Sequence, residues 1–269
     1  MEKFILTVAP TGNVPTREMN ANVPLTPEEI GLTAGNVYNK GASIIHIHAR
    51  DKQFKPTTNP EVFQKITGEI NKHCPDLIIQ YSTGARGGNT AQERSLPLSL
   101  SPEMASLSTG SSNFYDRVNF NPPELIEFLA KTMQEKGIKP ELEIFDTSMI
   151  HNALFYLEKG ILTSPLHFNL VVNVPGSIKG SPKNLLFLTE NLPPDCTFSV
   201  TAIGKAHLYM LTLALVLGGH VRVGLEDTLF LHDGTPASNE SLVEQILQVA
   251  HSLGKEPASP SEARKILTL

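Results

Sequence analysis

The chain has 269 residues, 40% of them hydrophobic, which is enough apolar side chain to bury a large core. A formal net charge of -5 argues against a general nucleic-acid binder, and no apolar run approaches the ~18 residues of a membrane span. Two cysteines, Cys74 and Cys196, are too few for a disulfide framework and fit no C-x-x-C site, which points to a reducing, cytoplasmic setting.

In chain order, Phe4–Ala9 predicts a first strand, too short for a signal sequence. A polar loop follows to Thr26, where Thr26-Pro27-Glu28-Glu29 carries an N-cap hydroxyl, a first-position proline and first-turn acids, and so opens a helix. That helix stops near Lys40-Gly41. Ser43–Arg50 is β-branched and apolar and predicts a buried second strand, in which His46 and His48 share a face. Helix 59–73 then leads to strand Leu77–Ser82, and a fourth strand covers Met104–Ser108. Helix 122–137 precedes strand Glu141–Asp146, and helix 147–160 precedes strand Leu166–Asn173. Helix 182–190 precedes strand Thr197–Ala202, helix 205–217 precedes strand His220–Gly224, and a last helix runs from Ser238 to Gly254.

Eight strands alternating with helical segments predict an α/β fold, a (β/α)8 TIM barrel forming a single domain over residues 1–269. A doubly wound open sheet is the other arrangement of such a rhythm, but no G-x-G-x-x-G follows the first strand. In a barrel the functional groups collect at the C-terminal ends of the strands. Those ends carry Thr11, His46, His48, Ser82, Ser106, Ser108, Glu143, Asn173, Arg222, Glu226 and Asp227. Polar groups buried in apolar strands cost free energy unless paired, and one active site accounts for all of them together.

His46 and His48 are either a satisfied core pair or the start of a divalent metal site. Glu226 is the candidate third ligand, giving two imidazoles and a carboxylate with one position open. An extended backbone turns Asp227 away from Glu226 and leaves it to pair with Arg222 or to act as a base. The glycine-containing loops 176–180, with Lys179 and Lys183 nearby, and 84–88, with Arg86, are weaker candidates for receiving phosphate.

Several segments together resemble the β-keto acid cleavage enzymes over nearly the whole chain. They include Thr26-Pro27-Glu28-Glu29, His46-x-His48, Ser82-Thr83-Gly84, Pro102-Glu103-Met104-Ala105, Gly218-Gly219-His220 and Arg222-x-Gly224-x-Glu226-Asp227. The resemblance implies a zinc-dependent homotetramer that condenses a β-keto acid with acetyl-CoA, giving acetoacetate and a new acyl-CoA. It implies zinc on His46, His48 and Glu226. It places the keto acid on Ser82, Ser106 and the backbone near Ala85, with Ser108 in the same substrate-facing set. It also implies proton transfer by Asp227 with Arg222, and Glu143 at the far end of the substrate. Val14 and Ala85 depart from the pattern of the amine-processing members, which bears on the choice of keto acid. Two other readings stand beside it: an amidohydrolase-like metal-dependent hydrolase, and a non-catalytic barrel that binds metal or acyl-CoA.

Overall fold

Alternation along the strands sorts the side chains into two environments. The computed structural model describes every residue except Ala85 and Asn89. Its strands β1 (Leu6–Val8), β2 (Ile44–Ile47), β3 (Ile78–Tyr81) and β4 (Met104–Ser108) pair in parallel and in chain order. So do β5 (Lys139–Ile144), β6 (His167–Val172), β7 (Thr197–Ala202) and β8 (His220–Val223), and β8 pairs with β1 to close the barrel expected from the sequence. Leu6, Val8, Leu107, Leu142, Leu170 and Val223 lie on one face of their strands and belong to the main apolar cluster, together with Leu125, Leu129, Leu211 and Ile246 of the helices. The other face carries His46, Gln80, Ser106, Glu141, Asn169, Thr201 and Arg222, all buried. The main core therefore lies between sheet and helices, and the barrel interior is polar above an apolar floor that includes Ile44, Ile78 and Met104.

The helices are α1 (Pro27–Asn39), α2 (Pro60–His73), α3 (Ala91–Ser95), α4 (Pro123–Glu135), α5 (Thr147–Glu158), α6 (Pro182–Glu190), α7 (His207–Val216), α8 (Asn239–Ser252) and α9 (Pro260–Leu267). Thr26 caps α1 in a capping box with Glu29, and Asn59 caps α2, as the residue types dictate. The sequence reading did not include α3 or α9, because both are too short for a helical period to stand out. Helix α9 closes the N-terminal end of the barrel, where Ala258, Ala263 and Leu267 pack against Ile5, Ile44, Ile78 and Met104. The expected first strand is divided in the same region. Glu2–Phe4 pairs with Lys255–Pro257 of this floor, and only Leu6–Val8 joins the barrel. Among the described residues no helix is long and apolar enough to cross a membrane.

Candidate active site

Strand β2 ends by delivering two imidazoles to one place. His46 and His48 have their Nε2 atoms 3.2 Å apart. The parallel register sets His46 beside Gln80 of β3, and the Gln80 Oε1 atom lies 2.5 Å from His46 Nδ1. With that oxygen accepting the Nδ1 proton, the lone pair of His46 is left on Nε2. Burial, and then the charge of Arg222, pushes the His46 imidazole down to about 4, so it is neutral near pH 7.

Glu226 arrives from the turn after β8. Its Oε1 lies 3.1 Å from His48 Nε2, and its Oε2 lies 3.9 Å from His46 Nε2. A glycine at position 12 makes room for it, since a Cβ there would stand 2.5 Å from Glu226 Cγ. One donor atom from each of the three residues lies within 4.8 Å of the others. Tetrahedral zinc ligands at roughly 2.1 Å from the metal are about 3.4 Å from one another, so the donor set and its spacing fit such an ion. Glu226 Oε2 is also buried without a hydrogen-bond partner among the described residues, which is costly unless something further binds there.

Arg222 joins this cluster to Asp227. Its Nη2 is 2.7 Å from Asp227 Oδ1 and 2.9 Å from Glu226 Oε1, and its Nε donates to Asp227 Oδ2 at 3.0 Å. An extended backbone, as expected from the sequence, would turn Asp227 away from Glu226. The chain turns there instead, with the N–H groups of Asp227 and Thr228 both donating to Gly224 O, at 3.0 and 3.2 Å. One guanidinium therefore serves both carboxylates. Burial pushes the Glu226 carboxyl up, but Arg222 and His48 outweigh it and hold the group well below the usual range. For Asp227 burial wins over Arg222, and the carboxyl is raised, towards the range of a useful general base.

These groups open onto a cavity of about 1080 Å³ lined by His48, Ser82, Ser108, Glu143, Arg222, Glu226 and Asp227, with Val14 and Arg86 at its wall. Ser108 and Glu143 are register partners on β4 and β5, and Ser108 Oγ donates to Glu143 Oε2 at 2.9 Å. Burial raises the Glu143 carboxyl. Arg86 has Asp116 at 3.7 Å.

Three strand-end residues make bonds within the protein. Ser106 Oγ accepts the Thr83 N–H at 3.2 Å. Thr11 Oγ1 donates to Pro24 O at 2.7 Å, and Asn173 Nδ2 donates to Ile203 O at 2.8 Å, so both fasten loops. Ala85, expected near the keto acid, lies outside the described residues.

The structure adds supports that the sequence reading missed. Arg94 of α3 is 2% exposed and donates to Thr83 O at 2.6 Å and to Asn121 Oδ1 at 2.8 Å, which anchors the Ser82–Gly84 turn. Arg50 donates to Gly12 O at 2.9 Å and Pro15 O at 2.8 Å, which anchors the loop bearing Val14. Only Gln80 carried a signal: a polar residue inside an apolar strand, in phase with Ser82.

A model of the family described as beta-keto acid cleavage enzyme matches residues 3–269. The chain belongs to this family. It is 44% identical over 269 residues to the 3-keto-5-aminohexanoate cleavage enzyme of Acetoanaerobium sticklandii, covering 99% of this chain and 98% of the relative. It is 38% identical over 269 residues to the 3-oxoadipate:acetyl-CoA acetyltransferase of Cupriavidus necator, covering 98% and 94%. Among solved structures, apo ObcA has the same fold, with a TM-score of 0.81 at 21% identity over 92% of this chain and 66% of that one. Membership of this family replaces the amidohydrolase-like alternative.

Proposed function

We propose that this β-keto acid cleavage enzyme uses acetyl-CoA as co-substrate and a zinc ion held by His46, His48 and Glu226. The observation that carries the reading is the convergence of this three-donor set with the Arg222–Asp227 pair on one cavity. Zinc bound there supplies Lewis-acid polarisation of a keto oxygen. Ser82, on the cavity wall, receives the acid group. Asp227 removes the α-proton, which is worth about 10²–10⁴-fold, and Arg222 holds its carboxylate in place from two sides. The resulting carbanion attacks the acetyl thioester. The CoA thiolate released then attacks the original keto carbon, the bond to the acetoacetate unit breaks, and Asp227 returns the proton. Acetoacetate and a new acyl-CoA leave, with no net oxidation. A single domain spanning the chain, a cytoplasmic setting and a homotetramer complete the reading; light scattering after gel filtration tests the last.

Glu143 and Val14 set the choice of keto acid. The Glu143 carboxylate is half-buried, with Ser108 as its partner, and Val14 brings an exposed apolar side chain to the mouth. A buried ammonium needs ionised partners to offset its desolvation, so an uncharged chain is preferred over a primary amine of similar length. The test is a coupled acetoacetate assay with 3-oxohexanoate, 3-oxoadipate and 3-keto-5-aminohexanoate, alongside elemental analysis for one zinc per chain. A tenfold or greater preference for the amine would overturn the substrate assignment. Absence of zinc, or full activity in His46→Ala, would overturn the metal assignment.

A further inference from the structure

His207 is the first residue of α7, directly after the turn that follows β7. It is 6% exposed and lies on the cavity wall, yet its Nε2 atom is buried with no hydrogen-bond partner among the described residues. An unpaired buried polar atom is a net cost that an apolar residue of the same size avoids. The ring is also uncharged near pH 7, because burial and then Arg222 push it down to about 4. A neutral imidazole offers one N–H donor and one lone pair.

Its position is tied to the reacting groups. The Gly204 N–H, in the same turn, donates to Asp227 O at 2.9 Å, and Ile203 O accepts from Asn173. The β7–α7 turn is therefore fastened to the loop that bears Glu226 and Asp227. With the keto acid on the β2, β3 and β8 side and its far end toward Ser108 and Glu143, the wall bearing His207 is left for the second substrate. Leu208, the next residue along the chain, and Phe230 add apolar side chains to the same cavity.

We propose that His207 is a catalytic hydrogen-bond donor to the acetyl thioester, its ring N–H receiving the thioester carbonyl oxygen as the carbon–carbon bond forms. This rests on the acetyl-CoA reading above. In the step concerned, the carbanion of the keto acid bonds to the thioester carbon, and the C=O electron pair moves onto oxygen. That oxygen takes its negative charge while held by the His207 N–H. The C=O bond then re-forms and the C–S bond breaks, so the pair leaves on the CoA thiolate and no proton passes through His207. A donor aimed at developing charge acts mainly on kcat.

The experiment compares wild type with His207→Leu and His207→Gln, the second of which returns an N–H to the site. Steady-state rates are read for acetoacetate formation. Calorimetry reads binding of the keto acid alone, and the melting temperature reads the fold. In His207→Leu kcat falls by about 10²–10³, keto acid affinity stays within twofold, and the melting temperature stays level or rises. His207→Gln recovers at least tenfold of the lost rate. A kcat in His207→Leu within threefold of wild type, equal losses in both variants, or a weakened keto acid complex that accounts for the rate each overturns the assignment. Wild type that makes no acetoacetate removes the reaction instead. That outcome falls on the acetyl-CoA reading, and the His207 assignment, which rests on it, falls with it, whereas each of the three outcomes before it falls on His207 alone.

Discussion

Five histidines are buried among the described residues, and the two ends of the barrel treat them differently. At the N-terminal end, His220 Nδ1 accepts the Ile5 N–H at 3.2 Å, and His167 Nδ1 lies 2.8 Å from Thr197 Oγ1 with its Nε2 3.5 Å from Glu141 Oε2. Each of these two rings has fixed partners supplied by the chain. At the C-terminal end, His46 and His48 turn their Nε2 atoms toward one another and toward Glu226, while His207 Nε2 has no hydrogen-bond partner among the described residues. Nitrogens that converge or stand unpaired store no stability of their own, since their favourable partner is a ligand. The same residue type thus serves the fold at one end and chemistry at the other. The difference lies in the remaining nitrogen: Gln80 holds His46 by Nδ1 and leaves its Nε2 to the converging set.

That contrast is broken most directly at the catalytic end. Asp227→Asn keeps the shape and the partner Arg222 but removes the base, so kcat should fall by about 10²–10⁴ while zinc content and melting temperature hold. If its kcat matches wild type, Glu143 becomes the candidate base. Gln80→Leu comes next. It removes the acceptor that fixes the His46 tautomer, and the zinc dissociation constant, measured by chelator competition, should weaken by about 10–100-fold. An unchanged zinc affinity would make Gln80 a packing residue only.

At the N-terminal end the expected effects are on stability. His220 is pushed down to about 3, by burial first and then by His167 and Lys255. An unfolded chain carries an imidazole near 6.5. Below that pH the unfolded state binds a proton that the native state does not. Stability is therefore lost as pH falls from about 6.5 toward 3. Between pH 7 and pH 5 this group should cost wild type about 2 kcal/mol, a loss that His220→Leu escapes. Denaturant titrations of both proteins at the two pH values measure the difference, and parallel losses would contradict it. The smallest effect is that of His220→Leu at pH 7. Leaving the Ile5 N–H without its acceptor should cost about 1 kcal/mol with kcat unaltered. A fall in kcat would mean that the floor of the barrel reaches the site.

Much of this was readable from local chemistry. The Thr26 capping box and the Asn59 cap start their helices where the sequence places them, because an N-cap needs only residues two or three positions apart. His46 and His48 share a face because strand periodicity is a local property. Closure of the barrel was legible from the count and rhythm of strands, and it brings Glu226 to His48 across 178 positions. Distant pairings were not legible. Gln80 meets His46 through parallel register, Ser106 is taken up by Thr83, and the turn at Gly224 lets one arginine hold both Glu226 and Asp227. Register, turn geometry and the lack of a hydrogen-bond partner for His207 Nε2 among the described residues depend on which strands become neighbours. They are properties of long-range packing, and no window of sequence contains them.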